Sequence, residues 1–140
     1  MYLLDTNIIS EIRKINSGNA NTGVKNWAEN NDKSLMFMSV ISLFELEKGV
    51  LGLERKDIEQ GKIYRYWLDK IVKVNFENKI LNITKETVLI CAKMHVPDKK
   101  SLTDSLIAAT AIENNLTVIT RNEQDFIHTG ANIFNPFIAH

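Results

Sequence analysis

The chain has 140 residues, 44% of them hydrophobic and 24% charged, with Lys+Arg and Asp+Glu balanced at 17 each. That length suits a single domain over residues 1–140 with a proper core, and the charge balance excludes a global basic field as a source of nucleic-acid affinity, so local patches must decide contact. The lone Cys91 cannot close an internal disulfide, and the chain shows neither a basic leader nor a long apolar run, so the expectation is a cytoplasmic protein with no membrane span.

The opening MYLLDTN reads as a short buried strand, Tyr2 to Leu4, that runs straight into Asp5. A charge beside a core segment is costly unless it is solvated, hydrogen-bonded or bound to a cation. A helix through Ile8, Ile9 and Ile12 follows, and then NSGNANTG, residues 16–23, a mobile loop by composition. Val24, Trp27 and Ala28 indicate a second short helix, and LMFM, residues 35–38, the next strand. Ser39 caps a helix whose apolar residues Val40, Leu43, Leu46, Val50 and Leu53 recur at helical spacing. A long amphipathic helix comes next, with Ile63, Trp67 and Ile71 on one face. Residues 80–83 form another strand candidate, and Thr84 opens a helix through Val88 and Ala92 that Pro97 closes. SLTDSLIAATAIENN is small and apolar nearly all round, the mark of a buried helix, and LTVIT, residues 116–120, is a strand followed by RNEQDF. Short strands alternating with helices imply an α/β fold, a parallel β-sheet sandwiched between α-helices. Such sheets bind ligands at the carboxyl ends of their strands.

Four carboxylates stand out under that architecture: Asp5 after the first strand, Glu45 in the helix after the second, Asp104 at the start of the buried helix and Asp125 beyond the strand ending at Thr120. Each has a structural explanation. Asp5 serves as an N-cap, Ser42–Glu45 and Ser101–Asp104 match capping-box spacing, and Asp125 holds a turn. The choice of charge weighs against these explanations, because Ser, Thr or Asn cap as well as Asp without mutual repulsion. Carboxylates crowded at one edge raise one another's pKa or need a cation to offset them. Their oxygens suit Mg²⁺ or Mn²⁺, and such an ion can activate water and neutralise charge at a phosphodiester. The cluster therefore reads as a hydrolytic metal site. Gly49, one helical turn after Glu45, costs about 0.5–1 kcal/mol relative to alanine, and its bare face admits either a phosphate backbone or a packed helix. Lys48 beside it pairs with Glu45 or contacts phosphate.

Taken together, LLDTN, SVISLFELEKG, DSLIAATA and VITRNEQDF resemble the motifs of PIN-domain ribonucleases. Within them the likeness is to the VapC toxins of bacterial type II toxin–antitoxin pairs, in the FitB-like branch, whose usual ending the terminal NPF, residues 135–137, is similar to. Position by position, the resemblance places catalytic and metal-ligating roles at Asp5, Glu45, Asp104 and Asp125, the last as a further ligand or a water-positioning group. It places Asn7, Thr120 and Asn122 at the polar positions that hold metal waters or the carboxylates. What it implies is a PIN domain with Mg²⁺- or Mn²⁺-dependent endoribonuclease activity on structured RNA, tRNA or rRNA. It also implies a homodimer and a cognate VapB-type antitoxin that blocks the acidic groove, in a hetero-oligomer that reaches DNA only through the antitoxin. The stretch HVPDKKSLT departs from the branch, which commonly carries Gly and Arg there, and Phe44 replaces a residue that is often smaller.

Arg13, Lys14, Lys48, Lys99, Lys100 and Arg121 are the candidate RNA contacts, and phosphate contact of this kind weakens with salt. His95, His128 and His140 lack HxxH or HxxxH spacing and read as surface or core residues, and Trp27 and Trp67 as core. Two other function classes bear on the same carboxylates. A phosphoacceptor module wants an acidic pair after its first strand, whereas Thr6 and Asn7 follow Asp5. A non-catalytic PIN-fold protein acting in a DNA-binding antitoxin complex has no need of its carboxylates, yet all four are present.

Overall fold

A computed structural model of the chain describes residues 1–138. Five short strands, β1 (Tyr2–Leu4), β2 (Met36–Ser39), β3 (Ile80–Leu81), β4 (Thr117–Ile119) and β5 (Ile133–Phe134), pair in parallel in the order β3-β2-β1-β4-β5. The first strand is central, with Tyr2 opposite both Met36 and Thr117. The helices are α1 (Thr6–Ile12), α2 (Thr22–Asn30), α3 (Val40–Lys56), α4 (Ile58–Tyr66), α5 (Lys73–Asn75), α6 (Lys85–Met94), α7 (Leu102–Asn114) and α8 (Glu123–Phe126).

Strand residues alternate between two cores, as the pleat requires. Leu4, Met36, Met38 and Ile119 face one side, where Ile8 and Ile9 of α1, Leu46 and Val50 of α3, and Trp67, Leu68 and Val72 cover them. Leu3 and Val118 face the other, under Ile107, Ala108 and Ala111 of α7 and Phe126 of α8. The chain lays β2 and β3 to one side of β1 and then crosses back to β4 on the other. Right-handed crossovers in opposite directions put the two sets of helices on opposite faces. The carboxyl ends of β1 and β4 thereby meet at a topological switch point, where clefts open.

Several sequence expectations shift. The strand expected at residues 80–83 closes after Leu81, and Leu35 belongs to a 3-10 turn rather than to β2. Ser39, not Ser42, caps α3: the Ser39 hydroxyl accepts from the Ile41 N–H, while the buried Ser42 hydroxyl lies without a hydrogen-bond partner. The 16–23 loop gives up its last two residues to α2, whose N-cap is Asn21, and it is stitched down by the Asn21 N–H on Glu11 Oε2 at 2.8 Å. Gly23 is needed there, since a Cβ would sit 2.0 Å from the Pro136 carbonyl oxygen.

The long helix expected beyond α3 is interrupted. Residues Trp67–Val72 form a π-helical segment, and the buried positions are Gly61, Trp67, Leu68 and Val72, leaving Ile63 and Ile71 exposed. A π turn inserts about one extra residue, which rotates everything beyond it relative to a 3.6-residue pattern. Opposite Gly61, the carboxylates of Glu47 and Glu54 grip Arg65 at 2.7 and 3.1 Å, joining α3 to α4.

Candidate active site

Asp5 follows β1 and keeps the sheet ladder going through its own N–H, which donates to the Ile119 carbonyl at 2.9 Å. Its side chain then turns inward, 5% exposed, as the N-cap of α1. Three donors converge on it. The Thr6 N–H reaches Oδ1 at 2.8 Å, and the Asn7 amide and the Thr120 hydroxyl reach Oδ2 at 3.1 and 2.8 Å. Thr120, fully buried at the end of β4, also accepts from the Asn122 N–H at 3.0 Å, and Asn7 accepts from the Arg121 N–H at 3.2 Å. The two loops at the switch point are thus laced through one carboxylate. Asn7 and Thr120 donate to Asp5 through their side chains, whereas Asn122 meets only Thr120, through its backbone N–H.

Glu45 arrives from α3, and the Thr6 hydroxyl donates to its Oε1 at 2.7 Å. Asp104 sits in the first turn of α7, its N–H donating to the Ser101 hydroxyl at 3.4 Å, and Asp125 lies in α8 on the exposed surface. Burial above all pushes the Asp5 carboxyl above the ordinary 3.8. The bonds from Thr120 and Thr6 oppose that, and the charges of Asp104 and Glu45 add to it. Asp104 is raised as well, first by burial, then by the charge of Asp125, with Glu45 adding to it and the Ser101 hydroxyl opposing. The four carboxylates therefore share one electrostatic field.

A hard divalent cation fits this donor set. An ionised carboxylate offers roughly four lone-pair directions, and three donors already occupy Asp5, leaving about one. Burial and like charge disfavour the ionised form, while the three donors around it favour it, and a cation resolves that conflict. Among the described residues no three His, Cys, Asp or Glu side chains are drawn into a finished metal cage.

Glu45 also heads an open groove of about 380 Å³ along α3, with Lys48, Gly49, Gly52, Leu53 and Lys56. A Cβ at Gly49 would meet nothing within 4 Å, so no described helix packs there. Lys48 forms no pair with Glu45; its ammonium lies 5.9 Å from the centroid of the exposed Phe44 ring. The other candidate cations divide. Arg13 stacks on Tyr64 at 4.4 Å and donates to its hydroxyl, and Lys14 pairs with Glu11 at 3.2 Å, so both are engaged away from the carboxylates. The Arg121 guanidinium lies 4.8 Å from the Phe137 centroid. Lys99 is exposed and Lys100 half-buried, and neither side chain has an ion-pair partner among the described residues. Of the histidines, His128 is exposed and His140 lies outside the described residues.

Two residues inside the motifs LLDTN and NPF support the site although the sequence assigned them no role. Thr6 orients Glu45 across 39 positions of sequence. Asn135, 5% exposed, donates to the Arg121 carbonyl and to Glu123 at 3.3 Å each, tying down the loop after β4.

The PIN domain model matches residues 2–132. The chain belongs to the PIN-domain family. It is 34% identical over 74 residues to Ribonuclease VapC14 of Mycobacterium tuberculosis, a stretch covering 52% of this chain and 69% of that one. It is 29% identical to Toxin FitB of Neisseria gonorrhoeae, over 98% of this chain and 99% of that protein. A solved structure of FitAB bound to an IR36 DNA fragment superposes with a TM-score of 0.89 at 26% identity, covering 100% of this chain and 98% of the other. No helix among the described residues is long and apolar enough to cross a membrane.

Proposed function

We propose that this PIN domain is a divalent-metal-dependent endoribonuclease, the toxin of a toxin–antitoxin pair, which hydrolyses phosphodiester bonds in structured RNA. The observation that carries the reading is Asp5: a buried carboxylate held by three donors at the sheet's switch point and pushed upward by burial first, with the charges of Asp104 and Glu45 adding to it. A purely structural cap needs one acceptor oxygen, and Asn would supply it without the repulsion.

Asp5, Glu45 and Asp104 hold the cation, Mg²⁺ or Mn²⁺, and Asp125 acts as a further ligand or positions water. When bound, such an ion supplies positive charge at the scissile phosphate and makes water more acidic. The chain's own part is positioning: Thr120 and Asn7 fix Asp5, Thr6 fixes Glu45, and Ser101 fixes the turn that carries Asp104. Water adds to phosphorus as one P–O ester bond breaks, and the leaving oxygen takes a proton. Lys48, Lys99, Lys100 and Arg121 are the cations left to meet RNA phosphates. The substrate class is tRNA first and rRNA second. The likeness to Toxin FitB and to the FitAB–DNA complex supports a second protein as partner, a VapB-type antitoxin, with contact to DNA only through it. The 140 residues act as one domain, as a homodimer, in the cytoplasm.

The test incubates antitoxin-free wild type and Asp5→Asn with total RNA from the native host, with Mg²⁺, with Mn²⁺ and with EDTA, and maps new RNA ends. Discrete cuts that vanish in the variant and in EDTA are expected. A folded wild type that makes no cuts with either metal refutes the nuclease and favours a non-catalytic partner of a DNA-binding antitoxin.

A further inference from the structure

The segment HVPDKKSLT, residues 95–103, leads directly into Asp104. The structure shows how its first residue is used. His95, half-buried at the end of α6, accepts the Lys100 N–H at its Nδ1 (3.3 Å) and lies 2.8 Å from the Ser105 hydroxyl through Nε2. An amide N–H only donates, so Nδ1 is bare, and the ring proton sits on Nε2, directed at Ser105. Ser105, 1% exposed, passes its own hydroxyl proton to the Ser101 carbonyl at 2.6 Å and takes the Cys91 thiol at 3.4 Å as a second donor. Its one donor and two acceptor directions are therefore all used. Ser101 closes the chain of contacts: its hydroxyl accepts the Asp104 N–H and holds the Asp104 carboxyl down against the pull of burial and like charge.

We infer that His95 is a positioning residue for Asp104, setting the first turn of α7 through Ser105 and Ser101 so that the carboxylate faces Asp5 and Glu45. The inference rests on the metal-dependent reading of that site. The geometry puts two clamps, at Lys100 and Ser105, on either side of Ser101. The Ser105 contact is the one that reaches the Asp104 cap, through the Ser101 carbonyl, while the Lys100 contact seats the ring. Outer partners of this kind act on metal affinity, and their loss typically costs about 10–100-fold.

The two nitrogens make the idea separable from general stability. Gln reproduces the Nε2 donor toward Ser105; Asn is too short to reach it and keeps only the group near Nδ1. Mn²⁺ binding is read directly from the free-ion EPR signal of wild type, His95→Gln and His95→Asn, alongside kcat and KM for RNA and the melting temperature. Expected is Mn²⁺ binding about tenfold weaker in His95→Asn and within about twofold of wild type in His95→Gln, with KM unchanged. Equal Mn²⁺ affinity in all three proteins overturns the positioning role while leaving the nuclease intact. Equal weakening in both variants that merely follows the melting temperature overturns it too, since packing then explains the loss. A wild type that neither binds Mn²⁺ nor cuts RNA brings down the metal-nuclease reading and this inference with it.

Discussion

Replacing Thr120 with Val isolates the donor that most directly opposes the burial of Asp5. The side chain is fully buried and the two residues are close in shape, so the change removes a hydroxyl without opening a cavity. The change removes the 2.8 Å bond to Asp5 Oδ2, together with the acceptor for the Asn122 N–H, which lies near solvent and can turn to water. A hydrogen bond to an ionised group contributes about 1.5–3 kcal/mol, a neutral one about 0.5–1.5. The destabilisation should therefore be about 2–3 kcal/mol where Asp5 is ionised and about 1 kcal/mol where it is protonated. The sign follows from linkage. Asp5 already titrates above the ordinary 3.8 in the folded protein, so its ionisation costs stability as pH rises through that folded value. Removing the Thr120 bond raises it further and deepens that cost, so the gap between the two proteins must widen with pH. Urea unfolding of both proteins below the ordinary aspartate value and at neutral pH measures the gap, and the acid limb of RNA cleavage should move to higher pH in Thr120→Val. A destabilisation that is the same at both pH values, or an acid limb displaced downward, refutes the assignment of the bond to the charged form.

Four further changes follow from the same geometry. Thr6→Ala frees Glu45 Oε1 and should lower kcat about tenfold while the melt moves little, because a partly exposed neutral donor contributes only about 1 kcal/mol; a wild-type kcat argues that Glu45 needs no orienting. Asp104→Asn should stabilise the protein at neutral pH and not in acid, since a carboxyl raised in the folded state loses stability as pH rises; pH-dependent unfolding checks it, and a loss of stability at neutral pH counts against the shared acidic field. Gly61→Ala places a Cβ 2.6 Å from the Glu54 Cα. The helix pair must part there, at about 1–3 kcal/mol, seen as a lower urea midpoint with the cleavage pattern unchanged. Lys99→Glu with Lys100→Glu should raise KM for RNA and flatten its salt dependence by about 0.7 log units per log unit of salt for each single-strand phosphate that the two lysines neutralise; an unchanged slope removes them from the RNA interface.

Four of the five strands were legible because each is a short apolar run bounded by polar or helix-starting residues, as parallel strands buried on both faces require; β5, only Ile133–Phe134, is too short to stand out and was not expected. The acidic cluster could be proposed from the sequence because charge appears where a neutral cap would serve, at Asp5, and again in the first turn behind the Ser101 cap, at Asp104. What stayed hidden depends on contacts across the fold. Thr6 looks like an ordinary first helical residue until α3 brings Glu45 over it, and His95 has no spacing signal because its partners lie on the next helix. The four-residue repeat of Ile63, Trp67 and Ile71 suggested a single buried stripe, but the π segment re-phases the helix, and its buried line runs through Gly61, Trp67, Leu68 and Val72, which keeps Trp67 in the core and leaves Ile63 and Ile71 outside it. Gly23 read as a loop residue because its reason for being glycine, the Pro136 carbonyl, lies 113 positions away in sequence.

The donors around Asp5 also decide which variant tests the chemistry cleanly. Oδ1 faces the Thr6 N–H, so an asparagine in that place keeps its carbonyl there and turns its NH₂ toward Asn7 and Thr120, both of which now donate. The Thr120 hydroxyl can rotate and accept, but the Asn7 amide is fixed by the Arg121 N–H on its oxygen, so one donor is left facing another. Asp5→Asn therefore removes a charge and disturbs the lacing of two loops together. Asp104 carries no such convergence of donors; its replacement by Asn subtracts charge and leaves the Ser101 cap on the backbone in place. A cation that depends on the carboxylates is lost in both variants, whereas disorder at the switch point follows only the first. Equal loss of cleavage in the two proteins, with opposite effects on neutral-pH stability, is the pattern that separates chemistry from scaffolding at this edge of the sheet.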